Sequence, residues 1–259
     1  EDRGWIRSEA YYHLFLAALS EATRATAVDL VLVTGLPVAF YSDRGDLQER
    51  LAGAHQVTRE KRRGQRFNVA TCRVIPQPFG ALLAEALDDR GKVRDQALAT
   101  RRAGVVDVGG KTTNLLSVDR LNEVGRETAS IPLGAWDVAR AVTGYLAEHC
   151  PGLELRDHQV QEAIRERRVT YYDQEIDLGP AVDEVLAHLA DQVVSEAGHL
   201  WNGGANLAAI LVAGGGAHLV GPAVRRAFRH ARVVADPVYA NALGYWKLAQ
   251  RLGSNTQSE

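Results

Sequence analysis

The stretch that decides the fold is Gly104-Val-Val-Asp-Val-Gly-Gly-Lys-Thr-Thr-Asn-Leu-Leu-Ser-Val118. Its valines are typical of a buried strand, and a second apolar run follows the polar turn, so the stretch predicts a strand–turn–strand hairpin. Gly109 and Gly110 lack the Cβ atoms that would keep an anion away from the backbone amides, which favours a turn shaped around phosphate. An ordinary Gly-Gly hairpin turn is the alternative for this motif alone.

Asp107 stands at the end of the first of these two strands. Hard divalent cations such as Mg²⁺ prefer one or two carboxylates, retained waters and the phosphates of a substrate. A carboxylate at the end of this strand can therefore hold Mg²⁺ through water.

A second glycine cluster lies within Leu207-Ala-Ala-Ile-Leu-Val-Ala-Gly-Gly-Gly-Ala-His-Leu-Val-Gly221. The pattern predicts a strand that runs into Gly214, Gly215 and Gly216, followed by a helix over residues 219–230. Adjacent glycines let the chain pass close to a ligand at a helix N-terminus. A flexible linker is the alternative, but linkers are polar on both flanks and this cluster lies between apolar residues.

Two further segments complete the pattern. Val74-Ile-Pro-Gln-Pro-Phe-Gly-Ala-Leu-Leu-Ala-Glu-Ala-Leu87 contains a strand end, then Gln77 between two prolines, then a helix rich in Ala and Leu. Tyr239-Ala-Asn-Ala-Leu-Gly-Tyr-Trp-Lys-Leu-Ala249 predicts a helix with small residues on one face. Small faces would let two helices approach closely.

In order, these four segments resemble the connect 1, phosphate 2, adenosine and connect 2 signatures of the actin-like ATPase superfamily. Residues 76–81, residues 106–113 and residues 240–245 are most similar to archaeal actin-like and plasmid-segregation ParM/StbA-type proteins. The resemblance covers essentially the whole chain. It implies an α/β, actin-like (ribonuclease H-like) fold with a first lobe at residues 1–103 plus 238–259 and a second lobe at residues 104–237.

One signature of that superfamily is not found in this sequence. Members open with a first phosphate loop, an Asp-x-Gly hairpin, whereas this chain begins Glu1-Asp-Arg-Gly-Trp-Ile6. We therefore expect the first lobe to be incomplete, with roughly the first quarter of a full-length relative absent. We also expect weak nucleotide binding, because part of the phosphate cradle is missing.

The resemblance also implies roles for individual residues. Asp107 would position Mg²⁺ through water, and Gln77 would orient the water that attacks the nucleotide. The phosphates would be bound by Gly109, Gly110 and Thr112, whereas Gly214, Gly215 and Gly216 would lie under the α-phosphate and ribose, with His218 near the base. Because a neutral glutamine is a poor general base, we expect slow hydrolysis governed by positioning and electrostatics.

The sequence leaves some assignments open. Lys111 replaces a glycine of superfamily relatives, and it either adds charge at the phosphates or points to solvent. Asp137 either orders the second phosphate loop or is simply a carboxylate in the first turn of a helix. Glu162, Arg165 and Glu166 lie on a helix that could border the adenosine pocket, and the sequence does not choose among them.

The first functional hypothesis is a filament-forming actin-like ATPase with ATP or GTP and Mg²⁺ as cofactors. It would assemble head to tail for plasmid or DNA segregation, with a possible DNA-bound adaptor protein, or as an intracellular scaffold. ATP hydrolysis is expected of a full-length protein rather than of this fragment. The alternatives are a nucleotide-sensing adaptor without hydrolysis and a small-molecule kinase of the same superfamily.

Composition narrows the classes of protein. The chain is 46% hydrophobic and 24% charged with a net charge of −2, which predicts a sizeable core and no direct nucleic-acid binding. No apolar run approaches the roughly 18 residues of a membrane span. Cys72 and Cys150 lack metal-site spacing and are predicted to be buried thiols of a cytoplasmic protein. The basic run at residues 59–66 predicts a solvated hairpin tip, with nucleic-acid or filament contact as alternatives.

Periodicity and turn residues predict the remaining elements. Helices are expected at residues 8–23, 46–51, 79–87, 134–148, 157–168, 180–201, 219–230 and 239–252. Strands are expected at 28–34, at 55–75 as a hairpin, at 104–131 as three strands, and at 207–213, with a charged loop over 88–102.

Overall fold

The computed structural model describes residues 3–59 and 62–256. Two compact units divide the chain: unit 1 is Glu1–Gln96 with Asn241–Glu259, and unit 2 is Ala97–Ala240. The tip of the basic run, residues 60 and 61, lies outside the described residues. No helix in the described ranges is both long and apolar enough to cross a membrane.

The helices are α1 (Glu9–Ala22), α2 (Arg44–Leu51), α3 (Phe79–Ala86), α4 (Gln96–Thr100), α5 (Ala135–His149), α6 (Asp157–Glu166), α7 (Gly179–Leu200), α8 (Ala217–Ala227) and α9 (Ala240–Thr256). The strands are β1 (Ala27–Leu36), β2 (Gly53–Arg59), β3 (Arg62–Pro76), β4 (Arg102–Val108), β5 (Thr113–Asp119), β6 (Asn122–Ile131), β7 (Arg168–Tyr171), β8 (Gln174–Asp177), β9 (Ile210–Ala213) and β10 (Ala231–Val233).

Unit 1 contains a three-stranded sheet in the order β1-β3-β2. β1 runs parallel to β3, and β2 is antiparallel to it. Leu47 and Leu51 of α2 pack against Val69 and Val74 of β3 in a buried cluster. At the start of α1 the Ser8 hydroxyl accepts a hydrogen bond from the Tyr11 amide, which caps the helix.

Helices α3 and α9 touch through glycines, as the small residues predict. A Cβ atom built on Gly244 would lie 1.8 Å from the carbonyl oxygen of Gly80. The Asn241 side chain accepts a hydrogen bond from the Ala81 amide at 3.0 Å. The two backbones can approach this closely only because neither crossing position carries a side chain.

A buried lysine ties the same two helices together. Lys247 of α9 is 3% exposed, and its Nζ donates to the carbonyl oxygens of Ala84 and Leu87 at 2.7 and 2.8 Å. These acceptors lie at the C-terminal end of α3, where the helix leaves carbonyls unbonded and carries partial negative charge. Burial lowers the pKa of the Lys247 ammonium.

Unit 2 is built on a five-stranded sheet in the order β10-β9-β4-β5-β6. β10, β9 and β4 are parallel, whereas β4, β5 and β6 form an antiparallel meander. Val106 and Val212 face a core shared with Val138 of α5, Val193 of α7 and Val220 of α8. Strands β4 and β9 are buried along almost their whole length. Parallel strands that are covered on both faces read as nearly continuous apolar runs, as these two do.

The structure corrects several predicted boundaries. The segment expected to be a charged loop contains α4, and the hairpin β7–β8 and strand β10 were not predicted. α6 ends at Glu166 rather than at residue 168, because Arg167 adopts a left-handed φ of 58°. α8 begins at Ala217, two residues before the predicted start, because Gly216 already stands at its N-cap. Cys72 and Cys150 are free, buried thiols as predicted.

Candidate functional site

The two glycine turns lie side by side. β4 and β9 are parallel neighbours, and Asp107 is in register with Ala213. The Gly216 amide donates to the Val108 carbonyl at 2.9 Å, and a Cβ built on Gly214 would lie 2.6 Å from Asp107 Oδ1. Both turns therefore follow the carboxyl ends of adjacent parallel strands, which is where ligands bind in sheets of this kind.

The carbonyl groups of the first turn are bonded to helix α5. The carbonyl oxygens of Gly109 and Gly110 accept hydrogen bonds from the amides of Ala135 and Trp136 at 2.9 and 2.8 Å. A Cβ built on Gly134, which precedes α5, would lie 2.5 Å from both of these oxygens. Glycine at this position lets the helix N-terminus come against the turn.

The amide groups of the same turn remain available. Gly109 donates to the Thr112 carbonyl at 2.9 Å and closes the turn. Within residues 3–59 and 62–256, no hydrogen-bond acceptor is found for the amides of Gly110, Lys111 or Thr112. A turn whose carbonyls are occupied and whose amides are unbonded offers a cluster of donors to an anion.

Asp137 has both of the roles that the sequence left open: a carboxylate in the first turn of a helix, and a residue that orders the glycine turn. Its carboxylate accepts from the Gly134 amide at 2.8 Å, which caps the start of the helix, and it pairs with Arg140. The carboxylate is thus a residue of the first helical turn. By fixing the start of α5, it also fixes the two amides that hold the carbonyls of the phosphate-type turn.

Asp107 faces an amide that sequence reasoning missed. Asp107 is 4% exposed, and Asn114 of β5 lies directly across from it at 3% exposure. Asn114 Nδ2 is 3.5 Å from Thr112 Oγ1, but its Oδ1 has no hydrogen-bond partner among the described residues. This oxygen is therefore an acceptor that a bound group can use. The register of the hairpin was the signal that could have found it.

Lys111 is exposed and lies over an aromatic ring. Its Nζ is 5.5 Å from the centroid of Trp136, a geometry that gives a cation–π interaction. A Cβ built on Gly110 would lie 2.7 Å from Cε2 of the same ring. Trp136 therefore supports the turn from one side and holds the lysine charge near it.

The three glycines of the second turn are glycines for different reasons. Gly214 has a left-handed φ of 85° and donates to the Pro237 carbonyl at 2.8 Å. A Cβ on Gly216 would lie 2.5 Å from Val108 Cγ1. Gly215 is exposed, its φ is not left-handed, and a Cβ there would meet nothing within 4 Å. No contact within the described chain requires glycine at 215, so the backbone there is open to a ligand.

The remaining predicted residues lie outside the two turns themselves. His218 stands two residues after Gly216 and is exposed in the first turn of α8. Gln77 belongs to unit 1, where its carbonyl accepts from the Gly80 amide and the Tyr245 hydroxyl, and its catalytic role stays a prediction. Glu162 and Arg165 form an exposed ion pair on α6, and Glu166 pairs with Arg168.

Comparison with protein families identifies the fold family. Residues 105–226 match the family described as archaeal actin homologue MreB-like, C-terminal, and residues 2–80 match the actin-like proteins N-terminal domain. The chain belongs to the actin-like superfamily. No curated protein matches this actin-like chain.

Solved structures share the fold of this actin-like protein. The archaeal actin homologue Ta0583 is 24% identical with a TM-score of 0.81, covering 96% of this chain and 78% of that chain. The apo psk41 ParM protein is 18% identical with a TM-score of 0.76, covering 99% and 75%. A 15-stranded ParM filament from Clostridium botulinum is 21% identical with a TM-score of 0.73, covering 95% and 74%.

Proposed function

We propose that the two turns of unit 2 bind the phosphates of a nucleoside triphosphate, ATP or GTP, together with Mg²⁺. The proposal rests on the hydrogen bonds of the first turn. Amides at the start of α5 donate to the turn's carbonyls, whereas the amides of Gly110 and Lys111 have no acceptor among the described residues. With Thr112, these donors suit the β- and γ-phosphates. Ta0583, which shares the fold, has been solved in complex with ADP.

The second turn would hold the rest of the nucleotide. Gly215 is exposed and has open space where a side chain would stand, so the α-phosphate and ribose can approach the backbone there. α8 begins immediately afterwards, and its N-terminus adds partial positive charge toward a phosphate. His218, in the first turn of α8, would lie beside the base.

Asp107 and Asn114 would hold the cation site. Mg²⁺ supplies neutralisation of the phosphate charge when it is bound. Asp107 contributes a carboxylate, and the unpaired Oδ1 of Asn114 is a neutral acceptor for a water bound to the metal. A single carboxylate with water and phosphate oxygens matches the ligands that Mg²⁺ prefers.

Hydrolysis would be slow. In this proposal Gln77 orients the attacking water, and an uncharged amide cannot take its proton efficiently. The rate then depends on positioning and on the electrostatic stabilisation that Asp107, the turn amides and Lys111 provide. In this proposal slow hydrolysis limits how long the protein stays in its triphosphate-bound state.

Nucleotide binding would favour self-assembly into filaments. Two chains with the same fold, the ParM of Clostridium botulinum and Alp12, have been solved as filaments. Head-to-tail contacts that do not close generate such polymers. The role we propose is plasmid or DNA segregation through a DNA-bound adaptor protein, or an intracellular scaffold, in the cytoplasm.

Light scattering of the intact, full-length protein with ATP and Mg²⁺ tests this function, with released phosphate measured in the same sample. We expect scattering above that of the nucleotide-free sample at high protein concentration, followed by slow phosphate release. Nucleotide binding without any rise in scattering would contradict the filament and favour an adaptor role. Rapid phosphate release in a sample without polymer would contradict the slow, positioning-based mechanism.

A further inference from the structure

The tip of the β7–β8 hairpin carries an exposed aromatic residue in an unfavourable backbone conformation. Tyr172 follows β7 directly, is 81% exposed, and has a left-handed φ of 51°. Two-residue hairpin turns place Gly, Asn or Asp at such positions, because larger side chains are strained there. An exposed ring buries almost no area within its own chain, so folding alone does not account for a tyrosine at this place.

The tip is anchored by Tyr171 and carries a carboxylate without an ion pair among the described residues. The Tyr171 hydroxyl donates to the Pro151 carbonyl at 2.8 Å, and the rings of Tyr171 and Tyr172 lie 4.5 Å apart. The nearby pair of Arg168 and Glu175 is satisfied at 3.2 Å. Asp173, beside Tyr172, forms no ion pair with any described residue. The Tyr172 tip, defined as residues 172 and 173, thus presents one ring and one free negative charge.

Unit 1 contains a cavity with an excess of positive charge. Its volume is about 240 Å³, and it lies between α2 and β3, where the two arginines Arg44 and Arg73 outnumber the one carboxylate, Glu49, and Tyr41 and Gln48 complete the polar lining. A cavity of roughly 150 Å³ is large enough to hold benzene, so a tyrosyl ring fits this space. The Arg44 guanidinium lies 4.9 Å from the Tyr41 ring centroid. Neither Arg44 nor Arg73 has an ion-pair partner in the part of the chain that the structure describes.

We propose that the Tyr172 tip of one copy docks into the Arg73 cavity of a second copy. The ring would pack against Tyr41 and the Arg44 guanidinium, and the Asp173 carboxylate would face Arg73. The negative charge of Asp173 is complementary to the two arginines of the cavity, and the exposure of Tyr172 shows that it is not inserted in its own chain. This inference rests on the proposed self-assembly and identifies the surfaces that carry it.

The tip and the cavity are different surfaces. A copy that docks its tip into one neighbour keeps its own cavity for another, and the association continues beyond a dimer wherever two copies do not exchange tips in a closed two-fold pair. The proposed contact gives a reason for the backbone strain at Tyr172. Compared with glycine, tyrosine destabilises the hairpin turn but stabilises the interface.

Two matched variants test the contact in the full chain. Tyr172→Gly removes the ring and relieves the backbone strain, so its thermal unfolding midpoint should equal or exceed that of the wild type. Arg73→Glu reverses one charge in the cavity. Each variant should raise the critical concentration for assembly with ATP and Mg²⁺ at least about tenfold, as expected for an interface hot spot, while binding nucleotide as the wild type does. Leu14→Ala, which removes another exposed apolar side chain, should assemble normally.

Mixing the two variants gives the sharpest result. Tyr172→Gly retains a cavity and Arg73→Glu retains a tip, so an equimolar mixture should form heterodimers and nothing longer in sedimentation velocity. Dimers of Arg73→Glu alone would overturn the proposal, since they would mean that tip meets tip. If the wild type and Tyr172→Gly, measured separately, assembled equally well, the proposed contact would be refuted and the filament would stand. A wild type that binds nucleotide and never assembles would refute the proposed filament, and the contact with it.

Discussion

Asp107 is a buried carboxylate beside a turn that offers donors to an anion. Its side chain is 4% exposed, and it follows two valines in β4. Placing a phosphate next to a buried carboxylate is electrostatically costly unless a cation lies between them. At the scale of single residues, this cost is the reason to place Mg²⁺ at Asp107.

Substituting Asp107→Asn keeps the shape of the side chain and removes its charge. We expect ATP to bind the variant equally well with and without Mg²⁺, whereas the wild type should bind more tightly when Mg²⁺ is present. Calorimetric titration in both conditions measures the difference. A variant that retained the full Mg²⁺ dependence would show that another group holds the cation.

The buried thiol of Cys72 should lower the stability of the folded protein as the pH rises into the alkaline range. Burial raises the pKa of its thiol from 9.0 to about 11, so the folded protein keeps this proton at a pH where the unfolded chain loses it. The contribution to stability is complete below pH 9 and is lost as the pH rises toward 11. The free energy of unfolding should therefore fall more steeply over this window in the wild type than in Cys72→Ala. Equal slopes in denaturant titrations would contradict the assigned burial effect.

The residues of the site differ in how readily sequence predicts them. Gly214 and Gly216 could be singled out because a left-handed φ and a close backbone approach leave few other choices. Asn114 could not, because an asparagine after two threonines has no distinctive pattern. Its importance arises only when the register of the hairpin places it opposite Asp107.

At the scale of elements, two helices share the same kind of N-terminal cap. The Asp137 carboxylate accepts from the Gly134 amide at α5, and the Gln159 side chain accepts from the Arg156 amide at α6, each residue standing third in its helix. Only the start of α5 bonds the carbonyls of the phosphate-type turn. The two caps therefore form a natural pair of test and control.

Removing either cap should cost about 1 kcal/mol of folding free energy. Asp137→Ala should in addition weaken nucleotide binding, because the amides that orient the turn lose their fixed position. Gln159→Ala should leave nucleotide affinity unchanged. Chemical denaturation and calorimetry measure the two quantities, and an equal loss of affinity in both variants would contradict a specific role of α5.

The crossing of α3 and α9 gives a second prediction for elements. Gly244→Ala would place a Cβ 1.8 Å from the Gly80 carbonyl oxygen, and we expect a loss of roughly 1–3 kcal/mol or more. On the same helix, a Cβ at Gly253 would have its nearest contact at 3.8 Å, so Gly253→Ala should be neutral or stabilising by up to about 1 kcal/mol. Thermal unfolding of both variants measures the difference, and comparable stabilities would argue against the close crossing.

Long elements were predictable from sequence, and short ones were not. The repeat of apolar residues along α7 and the run of valines in β4 are strong local signals. The hairpin β7–β8 has only four residues in each strand and a tyrosine where glycine would mark the turn, so its sequence lacks the usual signature. β10 has three residues and is a strand only because β9 offers it a parallel edge.

At the scale of the whole molecule, each of the two units carries part of the proposed function. Unit 2 contains the paired glycine turns and the Tyr172 tip, and unit 1 contains Gln77 and the Arg73 cavity. The order of the four motifs along the chain was sufficient to predict the actin-like fold, because that order reflects the connectivity of the sheets. The surfaces for assembly have no such motif, since they depend on which side chains remain exposed after folding.

The most direct test of the central claim is calorimetric titration of the wild type, Gly215→Leu and Gly144→Leu with ATP and Mg²⁺. A Cβ at either position meets nothing within 4 Å and both positions are exposed, so both variants should fold as the wild type does. If the nucleotide lies against the second turn, Gly215→Leu should weaken binding at least about tenfold, while Gly144→Leu on the exposed face of α5 should bind like the wild type. Equal affinity of all three proteins would contradict the assignment of the nucleotide to these turns.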